Sequence, residues 1–236
     1  MSDAPTLEAE LDRARDLSVS ELADAIESIG FECTRCGACC TGHEESGEVE
    51  PHTATVFPDE ARQLQATDPD DAYDWRDVAR PMPYGLVDGD DGPAGETFEW
   101  ALQTDACGDC VFYEEDAGDS GQPGTGACSV HADRPLICQT YPFSVALGGT
   151  SQPMGEAVDE AGVVRAHECE GLGRDISRAD AEALAAALKE RAIRELEEAV
   201  GVRDNYAPVD ADGVVVYDSE GPKRPDGSAI DADIEQ

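Results

Sequence analysis

The stretch Phe31–Cys40, FECTRCGACC, places Cys33, Cys36, Cys39 and Cys40 close together in a chain of 236 residues that carries nine cysteines in all. A CxxC spacing lets a tight turn aim two sulfurs at one tetrahedral ion, and CxxCxxC is a run used to hold iron–sulfur cubes. A lone CxxC is weak evidence, but here Cys107, Cys110, Cys128, Cys138 and Cys169 follow. The pattern reads as metal ligation. Small buried hydrophobes, disulfide staples and reactive thiols are the competing readings; Thr34, Arg35 and Gly37, interleaved with the sulfurs, argue against core packing. On an extended backbone, Cys39 and Cys40 would point to opposite sides and would not readily share one mononuclear site. Leaving one cysteine aside, the remaining eight suit two four-thiolate centres. Zinc and a [4Fe–4S] cluster accept the same four thiolates, so spacing leaves the metal open.

Working outward, the run follows a helix end. Leu7, Leu11, Ala14 and Leu17 recur at helical steps over Thr6–Leu17; Ser18 with Glu21 reads as a capping box for a second helix that stops at Gly30. Val49–Phe57 is expected to be extended, with Pro58 opening a short helix to Ala66. Residues 68–95 read as a loop or insertion, and Thr97–Thr104 as a strand leading to the second cysteine group. There, DAGDSGQPGTG reads as a flexible loop closing two extended pieces between Cys110 and Cys128. A long Ala- and Leu-rich helix is expected after Ser177, ended by Gly201, and one strand over Gly213–Tyr217 before a disordered end. The expected organisation is α+β: N-terminal helices over 1–30, an irregular cysteine-rich metal-binding domain over 31–173, a C-terminal helix over 174–204, and an acidic, partly disordered tail over 205–236.

Charge narrows the partners. Asp and Glu number 53 against 16 Lys and Arg, a formal net charge of −37. Nucleic acid and anionic membrane surfaces would repel such a chain, so neither is expected as a partner. Lysine occurs only at Lys189 and Lys223, and the acid excess runs along the whole length. Both features read as adaptation to a cytoplasm of molar salt, where screening over about 3 Å removes the self-repulsion. The charge then reports the solvent, not the function, and points to a halophilic archaeal source. No stretch approaches the roughly 20 apolar residues of a membrane span. The start MSDAPTLEAELDR has neither an apolar core nor a twin arginine, which points to the cytoplasm, where clustered thiols are metal ligands or redox groups more often than disulfides.

Several short motifs recur together. FECTRCGACC is followed by CVFYEE from Cys110, CSVH from Cys128, RPLICQTYPF from Arg134 and CEG from Cys169. In this order they resemble the YkgJ-type CxxCxxCC cysteine-cluster family, described as a zinc- or iron-chelating domain, over roughly Phe31–Gly173. The resemblance implies eight ligands: Cys33, Cys36, Cys39, Cys40, Cys110, Cys128, Cys138 and Cys169. Cys107 is additional to the family pattern, Gln139 stands where an arginine is usual, and His131 replaces a common tyrosine; three residues after Cys128, it is a candidate to replace a thiolate. Arg134 and Tyr141 are candidate hydrogen-bond donors to sulfur. The expected function is cytosolic chelation of zinc or iron, through two centres. An iron–sulfur redox or accessory role beside an enzyme, and a thiol-redox or metal-trafficking role led by Cys107, are the alternatives; an unidentified protein partner is expected where the chelating domain is a structural module that presents a surface to it. No phosphate loop, nucleotide fingerprint, Ser-His-Asp set or His-Glu-x-x-His motif is present, so no catalytic residue is assigned.

Overall fold

The computed structural model describes residues 5–45, 48–67, 73–89, 92–116, 125–153, 157–159 and 162–230. In chain order its elements are α1 (Leu7–Asp16), α2 (Val19–Ile29), β1 (His43–Glu45), β2 (Glu48–Glu50), β3 (Thr55–Val56), α3 (Pro58–Gln65), α4 (Trp75–Val78), β4 (Ala79–Pro81), β5 (Leu86–Gly89) and β6 (Gly92–Thr97). They continue with β7 (Trp100–Leu102), β8 (Tyr113–Asp116), β9 (Thr125–Cys128), α5 (Leu136–Thr140), β10 (Phe143–Val145), β11 (Ala157–Asp159), β12 (Val164–His167), α6 (Arg178–Asn205), β13 (Val214–Asp218) and β14 (Gly221–Lys223). The fold is α+β, as the sequence pattern implies. It forms two compact units, Met1–Thr41 with Phe112–Glu197, and Gly42–Val111 with Glu198–Gln236. The metal-binding segment expected over 31–173 contributes to both.

In the first unit, the helix signals are realised as local chemistry. Thr6 Oγ1 accepts from the Ala9 N–H at 3.2 Å, acidic Glu8 and Glu10 occupy the first turn of α1, and Arg13 and Arg15 the last, matching the helix dipole. Ser18 caps α2 through the Glu21 N–H, and α2 stops at Gly30. The antiparallel sheet β10-β12-β11 supplies Phe143, Val145, Val164 and Ala166 to a core completed by Leu11, Leu22 and Ile26 from α1 and α2 and by Ala181, Ala185, Leu188, Ala192 and Leu196 from α6. Each fully buried Leu or Ile stabilises by about 1.5–3 kcal/mol. The alanines leave α6 slim enough for Arg191 to run inside, where its guanidinium donates to Glu195 at 2.8 Å, Thr140 Oγ1 at 3.0 Å, and the carbonyls of Phe143 and Ser151 at 3.2 and 2.7 Å. The Ser151 N–H closes the network on the other Glu195 oxygen at 3.1 Å, so this buried charge is paired and bonded.

The second unit holds the antiparallel sheet β3-β7-β4, the hairpin β1-β2, and the sheet β14-β13-β6-β5, in which β13 runs parallel to β6. Trp75 and Trp100 meet edge to face at 4.9 Å, and the Trp100 indole N–H donates to Asp218 at 2.8 Å. Asp218 also pairs with buried Lys223 at 2.7 Å.

Three expectations change here. The segment read as a loop over 68–95 contains α4, β4, β5 and the start of β6 among its described residues; a hydrophobic pair, Trp75 and Val78, anchors it where the Asp, Pro and Gly content suggested punctuation only. Gly201 does not end α6, which continues to Asn205: a Cβ at Gly201 would stand 2.6 Å from the Ser219 Cβ, so the glycine serves a close approach. Within the tail, Gly221–Lys223 is a strand, paired with β13 and buried at Lys223; residues 231–236, and residues 117–124 of the expected loop before Cys128, lie outside the described residues.

Candidate metal centre

The cysteine run leaves α2 and enters irregular backbone fixed from two directions, both within the first unit. On its N-terminal side, the Glu32 N–H donates to Gly171 O at 3.0 Å, the Gly173 N–H donates to Gly30 O at 3.0 Å, and Phe31 bridges to Leu172. This pairing brings Cys169 beside the start of the run. On its C-terminal side, Arg35 O accepts from the Gly126 N–H at 2.8 Å and Arg35 Nε donates to Gly126 O at 3.1 Å, docking the run on the β8–β9 hairpin that carries Cys128.

All nine cysteines are free thiols. Cys33, Cys36 and Cys39 are exposed, while Cys40, Cys128, Cys138 and Cys169 are partly buried. Cys39 and Cys40 do not lie on extended backbone, which corrects the premise that set them on opposite sides. The Cys40 N–H bonds Gly37 O at 2.7 Å, the turn folds both side chains the same way, and the two sulfurs stand 3.7 Å apart. Two sulfurs about 2.3 Å from one tetrahedral ion lie about 3.8 Å from each other.

Electrostatics ties the dispersed thiols together. The hydrogen bond with Cys40 pushes the Cys39 thiol far above the usual thiol range, and Arg134 opposes the rise. Burial pushes Cys169 up; the Gly171 N–H, 3.4 Å from its sulfur, works against this, and Cys36, Cys39 and Cys33 add to the rise. Burial raises Cys128 too, opposed by the Val130 N–H and Arg134 and reinforced by Cys39 and Glu114. Tyr141 is raised by burial first, then by Cys169, Cys39 and Cys36. Cys169 and Cys128 thus both feel the Cys39 thiol. Cys138 sits in α5, its N–H bonded to Pro135 O at 2.9 Å.

Among the described residues, no group of three or more His, Cys, Asp or Glu side chains is already arranged around an ion position. The donor set nonetheless fits a thiophilic cation: burial raises the Cys169 and Cys128 thiols, a cost that a bound dication would offset by favouring the thiolates, and the Gly171 N–H already points at the Cys169 sulfur.

Several expected donors take other roles. The Tyr141 O–H donates to the Glu168 carbonyl, next to Cys169, and so braces the backbone of a ligand. His131 is exposed and its Nε2 accepts from Arg134 Nη1 at 2.8 Å, which engages that nitrogen; the Arg134 charge, the largest influence, holds its pKa down. Arg134 keeps one buried N–H, at Nε, without a hydrogen-bond partner, on a side chain within electrostatic reach of Cys39 and Cys128. Cys107 and Cys110 belong to the second unit. Asp105 organises their loop by accepting from the Cys107 and Asp109 N–H groups at 2.8 and 3.0 Å, leaving Cys107 exposed and Cys110 buried. Tyr113, opposite Cys128 in the hairpin, and Arg35, within the run, carry no ligand-type signature in the sequence; only the folded chain sets Tyr113 against Gly37 and Arg35 against Gly126.

No curated protein and no solved structure matches this chain. A family model described as "CxxCxxCC: Putative zinc- or iron-chelating domain" matches residues 32–170. That span is more than half of the sequence and takes in all nine cysteines, and the chain belongs to the CxxCxxCC family of zinc- or iron-chelating domains.

Proposed function

We propose that the first unit chelates zinc through two thiolate-rich centres that meet at the Cys39–Cys40 pair. Cys33, Cys36 and Cys169 supply one side, and Cys128 and Cys138 the other. What supports this reading is the backbone pairing that brings Cys169 to the start of the run, the docking of Arg35 on Gly126 two residues before Cys128, and the 3.7 Å between the Cys39 and Cys40 sulfurs. That sulfur separation suits single tetrahedral ions. Between zinc and ferrous iron, the general order of divalent-metal affinities favours zinc. When bound, the cations neutralise crowded thiolates and cross-link segments distant in sequence, which makes metal affinity part of the folding free energy of the unit.

Elemental analysis and a visible spectrum of protein purified without oxygen test the proposal. About two equivalents of zinc and no visible absorbance are expected. A brown protein with bound iron would replace zinc by an iron–sulfur centre on the same donors, and metal-free protein that takes up neither zinc nor iron would refute chelation.

A further inference from the structure

The Tyr113 ring fills a slot between two glycines that belong to different segments of the first unit. A Cβ on Gly37 would come 2.2 Å from the Tyr113 hydroxyl oxygen, and one on Gly126 would come 2.6 Å from its ring carbon Cε2. Gly37 also has φ 82°, which disfavours other residues. Arg35 lies between Cys33 and Cys36 with φ 58°, the single non-glycine residue with positive φ among the described residues, and holds Gly126 by both of its backbone hydrogen-bonding groups. Gly126 is two positions before Cys128, and Tyr113 faces Cys128 directly across the hairpin. None of these residues lies in the hydrophobic core of the unit, and Arg35 is exposed. The clamp therefore buries little apolar surface while keeping a side-chain-bearing residue in a disfavoured conformation, and strain of this kind gathers where a site is being held in shape.

We propose that Tyr113 and Arg35 are positioning residues for the metal centre: ring and paired hydrogen bonds fix the spacing between the Cys33–Cys40 run and Cys128 before a cation binds. This rests on the chelation reading. Preorganisation of this kind lowers the ordering cost at the moment of binding.

The test is a Zn2+ titration of the full chain against a chromophoric chelator, with Co2+ spectra of the same proteins. Tyr113→Ala and Gly126→Ala are expected to bind about 10–100-fold more weakly, the usual effect of removing groups that orient metal ligands. Weaker thiolate-to-Co2+ absorption should accompany the loss, at unchanged helix content. Tyr113→Phe, which keeps the ring, should retain wild-type affinity. Wild-type affinity in Tyr113→Ala overturns the proposal, and so does a loss of affinity that only parallels a lower melting temperature of the metal-free protein with an unaltered Co2+ spectrum. If both alanine variants fail to fold, Arg35→Asn decides. Asparagine tolerates the positive φ and is too short to reproduce the Nε bond to Gly126, so a loss of about 2–10-fold supports the clamp and wild-type affinity refutes it. A wild-type chain that binds no metal would instead fell the chelation reading itself, and this proposal with it.

Discussion

Lowering the pH from 7.5 to 5 should destabilise the second unit by about 2 kcal/mol through His52 alone. His52 is 5% exposed; its N–H donates to Gly108 O at 2.7 Å and its carbonyl accepts from Arg80 at 2.8 Å, so it ties β3's approach to the loop that holds Cys107 and Cys110. Burial first, and then the Arg80 charge, lower its pKa from 6.5 to about 4, with Asp109 opposing. The folded pKa lies below the unfolded one, so between these values the unfolded chain binds more protons and stability falls as pH falls. Integrated between pH 7.5 and 5, this gives the roughly 2 kcal/mol quoted, most of it between pH 6.5 and 5. The lower limit stays above the isoelectric point of about 4.1. Trp75 and Trp100 are the chain's two tryptophans and both lie in this unit, so urea unfolding followed by tryptophan fluorescence reads it directly. His52→Leu removes the titration while keeping a buried apolar side chain, and its stability should change less over this pH range by the same 2 kcal/mol or so. An identical pH dependence in wild type and variant, or an NMR titration placing His52 near 6.5, would refute the reasoning.

Other consequences are equally open to measurement. Cys169→Ser should carry about one metal equivalent fewer than wild type by elemental analysis, since the variant removes the one late ligand brought to the run by the 30–32 and 171–173 pairing. Arg191→Met should cost about 3–5 kcal/mol by thermal unfolding because Glu195 is left as an unpaired buried charge, whereas Arg191→Met with Glu195→Met should recover most of it. With a net charge of −37, the chain should melt at higher temperature as KCl rises from about 0.1 to about 1 M, the range over which screening shortens from about 10 to 3 Å; a melting temperature indifferent to salt would remove self-repulsion as a factor.

What the sequence could reveal was whatever rests on local chemistry. Thr6 and Ser18 cap helices through atoms three residues away, and Gly30 ends α2 by its own backbone freedom, so these boundaries are legible. Membership of a zinc- or iron-chelating family is legible too, because the CxxCxxCC spacing is itself the family's signature. Local rules misread Gly201, whose reason for being glycine is Ser219, and the described part of residues 68–95, where Trp75 packs against Trp100. They also misread the vicinal pair, because an extended backbone is the default for an irregular stretch and the turn closed by Cys40 N–H and Gly37 O is set by neighbours.

By itself, then, the sequence determined the donor chemistry, the α+β pattern and the ends of its helices, all of which follow from atoms a few bonds or one helical turn apart. Only the tertiary structure decided that the Cys169 segment pairs with the start of the run, that Arg35 and Tyr113 dock the run on the strands carrying Cys128, and that the Cys39 and Cys40 sulfurs stand close together. The first two depend largely on backbone pairings between segments about 90 to 140 residues apart, and spacing along a chain carries no record of which distant partner a hydrogen bond or an aromatic ring will find.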